Sequence, residues 1–355
     1  MRLLVLLTLL MMTPWARADL VFAPRYEYIR GQEDELANRL ILKGKLNSNL
    51  GPFGIFIEGF GDFEGNEDQA YIRRSPSKGY LQEAYLEFKL DSFYVRVGRQ
   101  AIRWSEMWSL PSLDVWSGRR WARLFFDPFQ DQLTHPTGAS FSYARETWSL
   151  DLVGIGDVAE STYPVPAPEP VEEKNTSFGG RLKMDVKGFG LSLVSAQILN
   201  RNHYGFTANY AFETAVPKFE YGYVDDTTLP DTIKSDRSFG TVGMDLFLGN
   251  WVVLPQVTAY EVNTLMGTQT QVSYYVSAQW NPNRHDVFFQ LYQNDTTKDL
   301  FMNASYGYNW TDYFTSTIFA QSYQGKDGGL YDMYEEITGG YVVGLRLEFT
   351  GSLPF

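Results

Sequence analysis

Between Asp19 and Phe355 the chain alternates residue by residue, apolar then polar or small, in stretches of about ten residues. In 301–310, Met302, Ala304, Tyr306, Tyr308 and Trp310 share one face; Phe301, Asn303, Ser305, Gly307 and Asn309 share the other. In 271–280, Val272, Tyr274, Val276, Ala278 and Trp280 oppose Gln271, Ser273, Tyr275, Ser277 and Gln279. In 341–349, Tyr341, Val343, Leu345, Leu347 and Phe349 oppose Val342, Gly344, Arg346 and Glu348. Successive side chains of a strand point to opposite faces, so each stretch has one face for an apolar medium and one for water. Helical periodicity is almost absent, and no run of ~18 apolar residues follows Asp19, which excludes a helical membrane span.

About eighteen such stretches run from 20–30 to 339–349, an even number as transmembrane barrels require. The connections between them sort into two classes. Asp91-Ser92, Glu146-Thr147, Lys187-Gly188 and Gly249-Asn250 fit two-residue hairpin turns. Every long connection falls after an odd-numbered strand: 65–79, 101–137, 158–175, 225–235 and 324–338. The tight turns also set the register. They place Phe88 opposite Val95 and Glu87 opposite Arg96, then Phe141 opposite Leu152 and Tyr143 opposite Leu150. Leu182 likewise meets Leu193, and Leu246 meets Val253. Apolar meets apolar each time. The expected fold is therefore all-β, a single antiparallel transmembrane β-barrel. A secreted β-sandwich or propeller also alternates, but it does not need 23 Tyr, 25 Phe and 9 Trp gathered near strand ends, and no blade-like repeat occurs.

Residues 1–18 read as a signal peptide: Arg2, an apolar run from Leu3 to Met12, and Ala16-Arg17-Ala18 before Asp19. Its removal takes the formal charge from −12 to −14, which disfavours capture of nucleic acid. The barrel is expected over 19–355. With no Cys, thiolate metal sites and Cys nucleophiles are excluded. Asn202-His203 falls at a tight turn near one rim and His285 at the other, and His135 has no nucleophile motif, so neither catalysis, a metal nor a cofactor is expected.

Gly344-Leu345-Arg346-Leu347-Glu348-Phe349 looks like the C-terminal insertion signal of bacterial outer-membrane proteins, which implies recognition of strand 340–349 by the assembly machinery. Thr350–Phe355 then reads as a tail. The segment Arg96-Val97-Gly98-Arg99-Gln100, followed by a Trp-rich loop, resembles alginate-export-like and related substrate-selective porins of Gram-negative outer membranes. That resemblance implies a channel whose loop 101–137 folds inward as a constriction.

The composition of that loop is compatible with such a role. It carries Arg103, Trp104, Glu106, Trp108, Trp116, Arg119, Arg120, Trp121 and Arg123, with Arg99 at its mouth. A structureless loop of this length is improbable unless it is functional. Arg binds carboxylates and other anions bidentately and stacks on rings, and sugars favour aromatic platforms. These residues could equally brace a lid, the Arg being neutralised by Glu106, Asp114, Asp127 and Asp131. Glu83, Glu87, Lys89, Arg96, Arg181, Lys183, Asp185, Arg346 and Glu348 occupy the polar parity and are expected in the lumen. Loop 158–175, with Pro164, Pro166, Pro168 and Pro170, reads as an extended outer excursion. Its acidic residues could meet lipopolysaccharide through divalent cations.

The expected function is diffusive passage of small hydrophilic solutes, anionic or carbohydrate among them. A plugged structural or adhesive barrel and an exporter of acidic polysaccharide are the alternatives. If the Arg cluster sets selectivity, replacing Arg119, Arg120 and Arg123 by Ala shifts the reversal potential in a salt gradient towards cation preference, because permeating ions feel the narrowest zone and not the bulk charge. An unchanged potential in a folded, conducting barrel would make the loop a lid only.

Overall fold

The computed structural model describes residues 16–32, 35–64, 79–107, 113–119, 133–158, 176–198, 201–226, 236–264, 267–326 and 330–354. The first strands are β1 (Ala16–Arg30), β2 (Glu35–Leu50), β3 (Phe53–Glu64), β4 (Gly79–Leu90) and β5 (Phe93–Arg99). Two-residue strands β6 (Gly118–Arg119) and β7 (Leu133–Thr134) follow, then β8 (Thr137–Ala144) and β9 (Trp148–Asp157). The wall continues through β10 (Ser177–Val186), β11 (Phe189–Ile198), β12 (Arg201–Tyr210), β13 (Ala215–Asp226) and β14 (Arg237–Leu248). It ends with β15 (Trp251–Thr264), β16 (Gly267–Trp280), β17 (His285–Asn294), β18 (Leu300–Thr311) and β19 (Phe314–Gln324). The helix α1 (Leu330–Thr338), β20 (Tyr341–Phe349) and β21 (Gly351–Pro354) complete the chain.

All strands but β6 and β7 form one 19-stranded sheet, each antiparallel to its neighbour. β20 and β21 both pair with β1, Arg346 opposite Glu27 and Leu353 opposite Leu20, and close the sheet on itself. Because β20 and β21 follow one another along the same edge of β1, they fill one stave, and the barrel has eighteen. Closure leaves no unpaired edge, the condition for a sheet to stand in an apolar medium.

The four tight turns hold the register expected of them. Glu87 meets Arg96 and Phe88 meets Val95; Phe141 meets Leu152; Leu182 meets Leu193; Leu246 meets Val253. At Lys187-Gly188 both φ angles are positive, 51° and 82°, the type I′ geometry whose twist suits a two-residue hairpin. Outward residues are apolar and exposed, Leu193 at 51% and Ile318 at 58%. Their neighbours of opposite parity, Ser192 and Phe319, are buried. At the rim of short turns, rings pack side by side: Phe314 on Phe349 (4.4 Å), Tyr210 on Phe212 (4.6 Å) and Trp251 on Trp280 (5.9 Å). Such a girdle belongs at a bilayer interface.

Three features depart from the sequence reading. Gly351–Pro354 is a closing strand and not a tail, because β1 offers it a free edge from Asp19 to Phe22. His203 lies within β12, paired with Ala196 and Val224, and not in a turn. Connection 324–338 ends in α1. Its buried Tyr334 and Thr338 are one helical turn apart, and Gly339 and Gly340, at φ 71° and 88°, terminate it. Residues 1–15 lie outside the described residues.

The facing can be tested. Leu193→Arg puts a cation on the apolar face and is expected to cost about 2–4 kcal/mol near mid-wall, against little for the inward Gln290→Arg. Denaturant unfolding in lipid vesicles measures both; equal losses would mean the faces are misassigned.

Candidate functional site

The long loop between β5 and β8 turns into the barrel. Gly98 starts it: at φ 136° the backbone bends, and a Cβ there would sit 2.2 Å from the Ala84 carbonyl oxygen. Gln100 then binds the loop root to β8. Its amide donates to the Gly138 carbonyl (3.3 Å) and accepts from the Ser140 hydroxyl (2.6 Å). Glu83 accepts from the Ala101 N–H (3.0 Å).

Beyond this root the loop builds an apolar core inside the lumen. Ile102, Trp104, Leu113 and Trp116 pack on Val153, Ile155, Val194, Ala196, Ile198 and Phe239 of β9, β11 and β14. These wall residues have inward parity, opposite to exposed Leu152 and Leu193, so the loop lies within the barrel. Trp104 and Trp116 meet edge to face at 5.2 Å, a geometry worth about 0.5–1.5 kcal/mol beyond burial. Trp104 is 2% exposed. It therefore packs the loop against the wall, the bracing alternative of the two readings, and presents no open aromatic face.

One wall carboxylate organises the turn. Glu220 on β13, fully buried, accepts from the Ser105 hydroxyl (2.6 Å) and from the Leu113 N–H (2.7 Å). Asp114 accepts from the N–H groups of Trp104 (2.7 Å) and Ser105 (3.0 Å), folding the loop on itself. Leu113 fits over Gly205, where a Cβ would come within 2.4 Å of its side chain. The sequence reading missed Glu220, although Lys218 and Glu220 alternate with Phe219 and Tyr221 and so declare an inward face; the partner lies 115 residues away.

The remaining charges are committed in pairs. Arg181 binds Asp151 (2.7 Å) and donates to the Arg103 carbonyl (3.3 Å). Lys183 binds Glu106 (3.1 Å). Lys218 binds Asp245 (2.6 Å) and the Glu106 carbonyl (3.0 Å). Glu87 and Arg96 face each other at 3.8 Å, with the Tyr94 hydroxyl donating to Glu87 (2.6 Å) between them. At the closing seam, Arg346 (2.6 Å), Arg39 (2.5 Å) and Arg25 (3.0 Å) converge on Glu27. Arg99 ends β5 opposite Ala84 and Thr137, on the outward parity. Arg119 lies in β6, paired with Leu133. Trp108, Arg120 and Arg123, like Asp127 and Asp131, lie outside the described residues.

Between the loop and the wall a cavity of about 440 Å³ remains. Arg103, Ser105, Glu106, Met107, Asp114, Lys218 and Asp245 form its charged side; Val252, Leu254, Ser277, Gln279 and Phe288 form an uncharged side. Arg103 is exposed. Among the described residues its guanidinium has neither an ion pair nor a hydrogen bond, whereas each other charged group lining the cavity has one. Arg103 is thus the lining cation without a direct partner, although its charge is felt by the Glu83 carboxylate.

A second inward element sits at the mouth. Tyr331 of α1 stacks on Tyr292 (5.7 Å) and Phe301 (6.0 Å), residues of inward parity on β17 and β18. Beneath it Asp299, held by the Thr297 hydroxyl (2.7 Å), loses water on burial, which raises its pKa above the ordinary carboxylate value. Among the described residues no group of three His, Asp or Glu side chains could hold a metal ion.

No family model matches the sequence, and no curated protein matches it. Solved structures do share the fold. OpdO from Pseudomonas aeruginosa superposes with a TM-score of 0.64 at 10% identity, over 96% of this chain and 97% of that one. A BenF-like porin from Pseudomonas fluorescens gives 0.67 at 9% identity, over 96% and 99%. OccAB2 from Acinetobacter baumannii gives 0.65 at 11% identity, over 96% and 98%. The fold is that of these eighteen-stranded barrels. They lend no support to the alginate-export subtype suggested by the Gly98-Arg99-Gln100 segment.

The hold on the loop predicts its own failure. Glu220→Ala strands the Leu113 N–H and the Ser105 hydroxyl and is expected to destabilise the loop by on the order of 1–3 kcal/mol. Single-channel current should become larger and noisier, while Glu220→Gln, which retains an acceptor, changes it less. Unaltered current with Ala would show that the apolar core alone fixes the loop.

Proposed function

We propose that the chain is an outer-membrane channel of a Gram-negative bacterium that passes small hydrophilic solutes by diffusion and favours those bearing an anionic group. The observation that carries this reading is the lumen cavity beside the inward loop, lined by the exposed Arg103, whose guanidinium has no ion pair or hydrogen bond among the described residues. Paired charges act as dipoles whose field dies away quickly, whereas a lone cation acts over roughly 8 Å at physiological salt. A solute carboxylate or phosphate would meet Arg103 in the bidentate geometry that guanidinium favours. The uncharged side, Gln279, Ser277 and Phe288, would take the remainder of the solute.

The surrounding biology is read from the sequence. Residues 1–18 direct export and are removed at Asp19, the aromatic rim rests in the periplasmic leaflet, and the long connections face outward towards lipopolysaccharide. Strand 340–349 is the element the assembly machinery grips. Arg119, Arg120 and Arg123, with Trp108, complete the constriction around Arg103, Glu106 and the buried Trp104, whereas Arg99, expected at the loop's mouth, stands on the outward parity and takes no part in it. Glu83, Glu87, Arg96, Arg181, Lys183 and Arg346 line the route.

Purified protein should open ohmic channels in planar bilayers, and Arg103→Gln should move the reversal potential in a potassium chloride gradient towards cation preference. Absence of any conductance would remove the channel reading. Conductance with an unmoved potential would remove the role of Arg103.

A further inference from the structure

We propose that the wall between β14 and β15 is a lateral exit through which small, neutral, apolar solutes leave the lumen for the bilayer. The starting point is Pro255, in the middle of a wall strand. Proline has no N–H to give a ladder and is otherwise confined to sheet edges and bulges. The β14–β15 ladder runs from Arg237 opposite Val262 to Gly243 opposite Gln256, and again from Leu246 opposite Val253 to Leu248 opposite Trp251. It lapses at Met244 and Asp245, facing Pro255 and Leu254, and resumes in the same register. The outer edges of both strands stay paired there: Pro217 with Met244, and Pro255 with Val276.

Both sides of this lapse are hollow. Inside, Asp245 and Leu254 line the lumen cavity together with Val252 and Phe288. Outside, the next residues along, Met244 and Pro255, line a groove of about 320 Å³ with Val242, Val257, Tyr274 and Leu291. The groove also touches Gly243, Gln256 and Tyr275, residues of inward parity. Met107 covers the inner side, its Sδ accepting from the Gln256 amide at 3.1 Å, and a thioether chain repacks readily around a guest.

The chemistry selects the passenger. Lys218 and Asp245, paired at 2.6 Å, stand at the inner end, and an ion carried past them into lipid would lose its hydration with nothing to replace it. A small, neutral aromatic molecule of up to three rings loses mainly unfavourable contact with water. The exit thus goes beyond aqueous passage and depends on the channel reading only in needing an open lumen.

The test uses full-length protein in vesicles with a lipopolysaccharide outer leaflet, which slows entry of apolar molecules, and N-phenylnaphthylamine, which fluoresces on reaching lipid. Wild-type protein should accelerate the fluorescence rise over protein-free vesicles. Pro255→Val, which restores the missing donor, and Met244→Trp, which fills the groove from outside, should each abolish the acceleration and leave potassium chloride conductance unchanged. A wild-type rate equal to that of protein-free vesicles, or variants as fast as wild type, would overturn the exit. Should one variant fail to insert, the other decides. Loss of conductance in the wild type itself would strike the channel reading instead, so the two failures are distinguishable.

Discussion

Everything in this molecule depends on the closure of one hydrogen-bonded ladder. A strand in an apolar medium has no water to satisfy its peptide groups, so the sheet must end on itself or not stand there at all. The seam between β1 and the β20–β21 stave does this over ten paired positions, six with β20 and four with β21. On the lumen side the seam is sewn by Glu27, which takes Arg346 from across it and Arg25 and Arg39 from its own side. Glu27 is fully buried, and removing one member of a buried ionic group leaves a charge that neither water nor a partner stabilises. Closure and lumen chemistry are therefore one arrangement.

Closure sets a second problem, because a barrel of this size encloses water and has no core of its own. The chain answers by folding a loop inward. Ile102, Trp104, Leu113 and Trp116 give β9, β11 and β14 something apolar to pack on, and Glu220 and Asp114 satisfy the peptide groups that the turn exposes. Among the described residues this gives part of the lumen wall an apolar core, beside which a cavity of about 440 Å³ remains. The inward tilt of α1 onto Tyr292 and Phe301 narrows the mouth by the same means.

Local rules made the wall legible. Alternation sorted the two faces, and four tight turns transmitted register without error, since a two-residue hairpin allows one pairing and a slip would expose every apolar residue to water. Contacts between segments distant in sequence carried no such signature. Glu220 was readable as an inward carboxylate, but nothing in its neighbourhood announces Ser105 and Leu113. Trp104 looked like a platform because its burial depends on a cluster with wall residues such as Val194 and Ile198 of β11, far along the chain. Thr350–Phe355 looked like a tail because its partner edge, Asp19–Phe22, lies at the opposite end of the chain. Nine helical residues within a connection go unnoticed beside long alternating runs, although the Gly339-Gly340 stop was visible.

The proposed preference for anions in spite of the net charge rests on the same architecture. A chain with a net charge of −12 would be expected to repel anions wherever they approach. Yet inside a narrow, partly desolvated tube each unpaired charge would be costly, and the wall suppresses the cost by pairing Arg181 with Asp151, Lys183 with Glu106 and Lys218 with Asp245. Pairing cancels the average field and leaves the cavity governed by what is not paired. Arg103 can remain so because it sits on the loop, exposed to the cavity water that hydrates it. On the anion-favouring reading proposed above, a cation hydrated in the empty channel would exchange that water for an anionic solute at small net cost, which is the condition for binding that is specific and still fast to release.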